Sequence, residues 1–87
     1  MLELLEKFFE NAHAKKIVAI EFLRLGLRVD RKGNIFADKI EVQPAKIARA
    51  LGIDRRVVID TAKSIGSDEK LLQIFHHLQP RALFGGV

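Results

Sequence analysis

The chain of 87 residues contains no cysteine, no tryptophan and no tyrosine, and these absences limit the kinds of covalent, metal-binding and catalytic site that it can form. Without cysteine, disulfide bonds and thiolate metal sites are excluded. Side-chain hydroxyls are limited to Thr61, Ser64 and Ser67, and none of them lies in a nucleophile turn or precedes an evident base. We therefore predict a protein that is not an enzyme and that binds no cofactor.

Histidine and long apolar segments are scarce as well. The histidines are His13, His76 and His77, and adjacent helical residues point about 100° apart, so His76 and His77 cannot readily share a metal ion. No apolar run reaches the roughly 18 residues of a membrane span. The N-terminus is acidic and amphipathic, unlike a signal peptide. These features predict a soluble cytoplasmic protein without a metal site.

The charge of the chain is concentrated in one segment. The net charge is +4, which favours nucleic acid or an acidic surface as a partner. Residues 44–66 carry five basic and two acidic residues, so most of the excess lies there. With 48% apolar and 30% charged residues, the composition is that of a globular chain rather than a disordered one. We assign residues 1–80 to a single domain.

The same segment has the pattern of a helix, a tight turn and a second helix, which is the helix-turn-helix motif. Pro44 suits a first helical turn, and Gly52 can adopt the left-handed conformation that ends a helix. Asp54 can cap a second helix over residues 54–65, and we predict that Gly66 ends it. The inward faces are predicted to comprise Ile47, Ala48, Leu51, Val58, Thr61, Ala62 and Ile65.

Two further helices are predicted before this motif. Apolar residues at helical spacing predict a helix over residues 1–10. Its apolar face is unusually wide, and it could complete the core or meet a second subunit. Asn11 is predicted to cap a second helix that is almost surrounded by apolar residues and ends at Gly26. We expect the domain to be built around this helix, residues 12–25.

The remaining segments complete the predicted fold. Residues 27–36 alternate like a β-hairpin, and residues 40–42 could add a short strand. Ser67 is predicted to cap a last helix, which Pro80 prevents from continuing. The predicted fold class is therefore mainly α: a winged-helix-like, helix-turn-helix DNA-binding domain with about five helices and one short β-hairpin.

The tail has a composition of its own. Residues 81–87 contain Leu83 and Phe84, two apolar side chains that are expected to be buried. The pair Gly85-Gly86, which has the composition of a hinge, follows them. We predict that this tail begins a linker to a C-terminal domain that is missing from the chain.

Residues 42–65, VQPAKIARALGIDRRVVIDTAKSI, resemble the N-terminal domain of archaeal regulators predicted to control amino-acid metabolism. The most specific element is GIDRRVV, Gly52 to Val58, and the helices and hairpin before it fit the same family. In that family a C-terminal ACT domain, which senses amino acids, follows the helix-turn-helix domain. The resemblance implies a transcription regulator whose amino-acid effector binds only through a domain outside this chain. The hairpin precedes the helix-turn-helix, which departs from the usual winged-helix order.

This interpretation predicts double-stranded DNA as the partner, bound by a homodimer through helix 54–65 in the major groove. The second helix starts with two arginines, which we expect to contact phosphate or guanine. Asp60 is expected to form an ion pair with Arg56, although it could accept a hydrogen bond from a cytosine amine. The predicted DNA-binding residues are Arg55, Arg56, Ile59, Asp60 and Lys63 on the second helix, Lys46 and Arg49 on the first, and Arg31 and Lys32 at the hairpin tip.

Two other functions are compatible with the sequence. The apolar opening helix and the apolar tail suit a helical module for protein–protein interaction or dimerisation. RNA binding is a weaker alternative, because no aromatic residue near the basic segment could stack on splayed bases.

Overall fold

A computed structural model describes residues 2–80 of the chain. Met1 and residues 81–87, for which a linker is predicted, lie outside the described residues. Along residues 2–80, the elements are α1 (Leu2–Phe8), α2 (His13–Leu25), β1 (Arg28–Val29), β2 (Ile35–Ala37), β3 (Ile40–Glu41), α3 (Pro44–Leu51), α4 (Arg55–Ser67) and α5 (Glu69–Phe75). The fold is mainly helical with a small antiparallel sheet, as the sequence predicts. Within these residues no helix is both long and apolar enough to cross a membrane.

The helix-turn-helix consists of α3 and α4. Gly52 ends α3 with φ of 68°, in the left-handed region, and its N–H and that of Ile53 donate to α3 carbonyls. The Asp54 carboxylate then caps α4 by accepting a hydrogen bond of 2.8 Å from the backbone N–H of Arg56. Both local predictions are confirmed, because a left-handed glycine and an acidic cap are the usual solutions for this tight turn.

The three strands form an antiparallel sheet in the order β1-β2-β3, so residues 40 and 41 do add a third strand. The turn between β1 and β2 is organised by Asp30, whose carboxylate accepts hydrogen bonds from the backbone N–H groups of Lys32 and Asn34. The sheet precedes the helix-turn-helix, and in the described part of the chain α5 follows α4 without a strand between them.

The centre of the domain is α4, and the prediction that helix 12–25 occupies this position is wrong. α4 packs against α2, α3, α5 and β1, and its inner face is fully buried at Val58, Thr61, Ala62 and Ile65. In α2, by contrast, Ile17 and Leu25 remain 45% and 41% exposed. The apolar residues of α2 extend around much of its circumference, but neighbouring elements cover only one side of it.

Several predicted helix ends are corrected by the structure. The N-cap of α2 is Ala12, without a side-chain hydrogen bond, so Asn11 is not the cap. α4 continues through Gly66 to Ser67, and Asp68 rather than Ser67 caps α5 by accepting from the backbone N–H of Leu71. Ser67 instead donates its hydroxyl to the carbonyl of Lys63. α1 and α5 are both shorter than predicted.

α1 contributes to the core and also exposes part of its apolar face. Leu5 is fully buried and Phe9, which follows the helix, is almost fully buried. On the outer side, Leu2 is 57% exposed and Phe8 is 41% exposed. The helix therefore completes the core, one of the two alternatives drawn from the sequence, while leaving apolar surface that a partner could cover.

Candidate nucleic-acid interface

The exposed face of α4 carries a narrow row of polar side chains. Arg56, Asp60, Lys63 and Ser67 are all exposed, and their spacing of four, three and four residues aligns them along the helix. The buried residues of α4 lie on the opposite side. Ile59, another predicted contact, is half-buried at the edge of this row. The row thus contains two cationic side chains separated by one carboxylate.

Arg56 forms an ion pair with Asp54, and the predicted pair with Asp60 is not formed. Its guanidinium donates to both carboxylate oxygens of Asp54, with Nε–Oδ1 and Nη2–Oδ2 distances of 3.2 and 3.0 Å. The capping hydrogen bond already fixes this carboxylate two residues before Arg56. Asp60 makes only a minor electrostatic contribution, raising the pKa of Arg56 slightly after the larger effect of Asp54.

This arrangement stabilises the ionised forms of both side chains. The Arg56 guanidinium, followed by its backbone N–H, lowers the pKa of Asp54 from 3.8 to about 2. Two parallel hydrogen bonds also restrict the plane of the guanidinium. Arg56 is therefore held at the start of α4 with part of its hydrogen-bonding capacity already used.

Arg55 differs from Arg56 in its surroundings. It is exposed in the first turn of α4, and within residues 2–80 its side chain has no hydrogen bond or ion pair. All of its guanidinium donors remain available to a ligand. The sequence does not distinguish the two arginines, and the structure makes Arg55 the freer one.

The predicted contacts of α3 are also on the surface. Lys46 and Arg49 are exposed and three residues apart, so they lie on one side of the helix. Lys46 additionally borders an apolar groove formed with Leu25 and Leu27 at the end of α2. Both cations therefore lie on the accessible surface of the first helix of the motif.

The hairpin tip lies against the C-terminal half of α4, away from the two arginines. A Cβ atom on Gly33 would lie 3.0 Å from the Cγ atom of Lys63, and a Cβ on Gly66 would lie 2.6 Å from the carbonyl oxygen of Asp30. Two glycines therefore allow the turn and the helix to approach closely. The candidate residues consequently form two groups along α4 rather than one cluster.

Arg31 and Lys32 at this tip are not equivalent. Arg31 forms an ion pair with Glu69 of α5, with Nη1 and Oε1 2.9 Å apart, whereas Lys32 is exposed and has no side-chain partner among the described residues. Because the Arg31–Glu69 pair is solvent-exposed, it contributes roughly 0–1 kcal/mol. A phosphate could displace it at little cost.

One basic residue beside the candidate interface, Lys15, is absent from the residues predicted from the sequence. Lys15 of α2 lines an open cleft together with Asp60 and Lys63 of α4. It is half-buried, and it lies 48 positions before Lys63 in the chain. No local pattern brings these residues together, because their proximity results only from the packing of α2 on α4.

The hydroxyl and histidine side chains add little chemistry to this surface. Thr61 is fully buried and donates its hydroxyl to the carbonyl of Val57. His76 and His77 have perpendicular rings with centroids 5.0 Å apart. Among residues 2–80 there is no group of three or more side chains positioned to hold a metal ion.

Comparisons of the chain with protein-family models, with curated proteins and with solved structures found no match.

Proposed function

We propose that this domain binds double-stranded DNA, with α4 as the recognition helix in the major groove. One observation carries the proposal: a helix-turn-helix with a left-handed glycine turn presents Arg55 and Arg56 at the exposed start of its second helix. In DNA-bound motifs of this kind, the N-terminal part of the second helix contacts base edges and the first helix crosses the backbone. The concentration of positive charge in residues 44–66 supports the same assignment.

The proposed roles follow from the environment of each side chain. Arg55, which has no partner within residues 2–80, contacts a guanine edge or a phosphate. Arg56 is oriented by Asp54 and presents its remaining donors to the same groove. Lys46 and Arg49 contact one strand of the backbone. Lys63 and Lys32 meet phosphates at the far end of α4, and Asp60 between the two groups disfavours phosphate at that position.

The resemblance at residues 42–65 supports a more specific proposal. The protein is a cytoplasmic transcription regulator of amino-acid metabolism in an archaeal cell. It acts as a homodimer on a two-fold symmetric site, and an ACT-like domain beyond this chain binds the amino-acid effector. The gene sequence following the codon for Val87 tests this part: an ACT-like continuation supports it, and an unrelated continuation removes it.

The exposed apolar residues of α1 favour a second candidate function, that of a helical interaction module. Leu2 and Phe8 offer a surface to another protein chain. This role does not require the cations of α4, so their substitution distinguishes the two functions. RNA binding has less support, since α3 and α4 contain no aromatic residue. The one aromatic side chain that lines a cleft with Lys63 among the described residues is Phe8 of α1.

The decisive experiment is a titration of the protein on duplexes selected from a random DNA library, at several salt concentrations. If the four cations assigned to phosphate each neutralise one, log affinity should fall against log salt with a slope of about −3.6 for a monomer and about −7 for a dimer. We expect Arg55→Ala to lose roughly 1–3 kcal/mol of binding and to relax the base preference at one position.

The matched control is Lys70→Ala, which removes the same charge from α5 at an exposed site outside the candidate set. It should bind almost as well as the parent protein. If Arg55→Ala and Arg56→Ala together left binding to every selected duplex unchanged, α4 would not be the recognition helix, and the interaction module would become the better hypothesis. Binding of single-stranded RNA in preference to the selected duplexes would support the RNA alternative.

A further inference from the structure

The carboxylate of Asp60 has no ion-pair partner on the exposed face of α4. Asp60 is exposed between Arg56 and Lys63 in the polar row of this helix, and in the described part of the chain its side chain forms no ion pair. Arg56 does not pair with it because the carboxylate of Asp54 already accepts two hydrogen bonds from that guanidinium. Lys15 and Lys63 line the same open cleft as Asp60, and neither forms an ion pair with it. The carboxylate is therefore available to a ligand.

The charge of Asp60 excludes one kind of contact with DNA and leaves another. An ionised carboxylate accepts hydrogen bonds and donates none, and phosphate oxygens repel it. Within the major groove, the complementary group for Asp60 is therefore a hydrogen-bond donor on a base edge. The donors that bases present there are the N4 amine of cytosine and the N6 amine of adenine.

These two amines differ in the groups beside them. Adenine presents the acceptor N7 next to its N6 amine, whereas cytosine presents its N4 amine without a neighbouring acceptor on the same base. A carboxylate on adenine would place two acceptors together, so cytosine is the better match for Asp60. Asp60 follows Arg56 by four residues, a rise of about 6 Å along the helix. Because base pairs are stacked about 3.4 Å apart, the bases contacted by the two side chains are about two base pairs apart.

We propose that the carboxylate of Asp60 accepts a hydrogen bond from the N4 amine of a cytosine, about two base pairs from the base contacted by Arg56. Asp60 is then a specificity-determining residue of α4 that adds little affinity, because it also repels the phosphates nearby. The inference rests on the proposed binding of α4 in the major groove, and it extends that proposal from a basic surface to a base preference.

Selection from a random duplex library with the parent protein and two variants tests this role. The parent should select cytosine at one position, with roughly tenfold weaker binding when that base is changed, as expected for a hydrogen bond to a charged group. Asp60→Asn supplies an amide that both donates and accepts, which fits adenine N6 and N7, so the selected base should change to adenine. Asp60→Ala should select no base at that position.

The matched control is Glu10→Gln, which makes the same change from carboxylate to amide at an exposed residue outside the candidate interface. It should select the same sequences as the parent protein. A modified base then tests the contact at a single atom. N4-methylcytosine replaces the amine hydrogen that faces the major groove, so it should weaken binding of the parent about tenfold and leave binding of Asp60→Ala unchanged.

The results separate failure of this inference from failure of the proposed function. Identical base preferences of the parent and Asp60→Asn, while Arg55→Ala still weakens binding, would overturn the role of Asp60 and leave the DNA-binding proposal in place. If Asp60→Ala bound every duplex more tightly by one common factor, Asp60 would only repel phosphate, which also overturns base recognition. A parent protein that selects no duplex would overturn both proposals.

Discussion

Asp54 has two roles at the start of α4, and both depend on its charge. Its carboxylate accepts the backbone N–H of Arg56 and also binds the guanidinium of that residue. Asparagine caps a helix about as well as aspartate does, but it cannot form the ion pair. Substitution by asparagine therefore separates the cap from the orientation of Arg56.

The pH dependence of stability follows from the lowered pKa of Asp54. Because its pKa is about 2 in the folded protein and 3.8 ordinarily, ionised Asp54 stabilises the fold at pH values above 3.8. This stabilisation is lost as the pH falls through about 2. We expect the melting temperature of the parent protein to fall over this interval and that of Asp54→Asn to fall less. Thermal melts followed by circular dichroism would measure the difference.

A residual acid dependence should remain in the Asp54→Asn variant. Burial raises the pKa of Asp30, but hydrogen bonds from Asn34, Lys32 and Gly33 together lower it further than burial raises it. Asp30 therefore also loses stabilisation in acid. Melting curves of the parent protein and the variant that ran parallel down to about pH 2 would show that the Asp54–Arg56 pair does not stabilise the fold.

At the scale of elements, α4 has one face in the core of the domain and one face that carries the candidate interface. Its inner face is buried at Val58, Thr61, Ala62 and Ile65, while its outer face carries the cations that we propose contact DNA. The hairpin turn packs on its C-terminal half through Gly33 and Gly66. Because the turn packs directly on α4 at these two glycines, packing changes along the C-terminal half of α4 should alter the position of the turn residues Arg31 and Lys32.

Gly66→Ala tests this contact between the turn and the helix. At an open helical site the substitution would gain about 1 kcal/mol. Here the new Cβ would lie 2.6 Å from the carbonyl oxygen of Asp30 and 2.9 Å from that of Arg31, and backbone atoms cannot rotate away. We expect a loss of roughly 1–3 kcal/mol, as is usual for overpacking, measured by urea unfolding.

The control for this prediction is Ser64→Ala, a half-buried position two residues earlier in the same helix. Alanine is the better helix former, so the control should be neutral or slightly stabilising. A Gly66→Ala protein that is more stable than its parent would mean that the turn does not approach α4 this closely in solution.

At the scale of the whole molecule, the exposed part of α1 bears on assembly. Leu2 and Phe8 remain exposed although Leu5 of the same helix is fully buried. We expect this outer face to form a homodimer interface. Phe8 lines the same cleft as Asp60 and Lys63, so a dimer contact there would border the C-terminal half of α4 rather than its first turn. Sedimentation at micromolar concentration should give the mass of a dimer.

Leu2→Ser combined with Phe8→Ser should convert this dimer to a monomer. Some loss of subunit stability is also expected, because the Phe8 ring packs edge-on against the buried ring of Phe9. Ile40→Ser is the matched control, because Ile40 is 72% exposed on β3 and should leave the mass unchanged. A parent protein that sediments as a monomer, or a double variant that stays dimeric, would rule out this interface.

The sequence by itself determined the local features of the helix-turn-helix. Gly52 adopts the left-handed conformation, Asp54 caps α4, and α3 starts at Pro44 and ends at Leu51, as predicted. These features depend on residues within one helical turn of each other, where backbone conformation and capping act directly. The mainly α fold class, the β-hairpin and the basic character of residues 44–66 were predictable for the same reason.

Only the tertiary structure decided which surfaces meet. Periodicity shows that α2 is apolar on most sides but not which sides are covered, so the central position of α4 was missed. Gly66 resembles a helix terminator in sequence, yet it lies inside α4. Its missing side chain leaves the space into which the carbonyls of Asp30 and Arg31 approach the helix. The Arg31–Glu69 ion pair joins residues 38 positions apart. Such contacts depend on how the elements pack, and no short-range pattern encodes them.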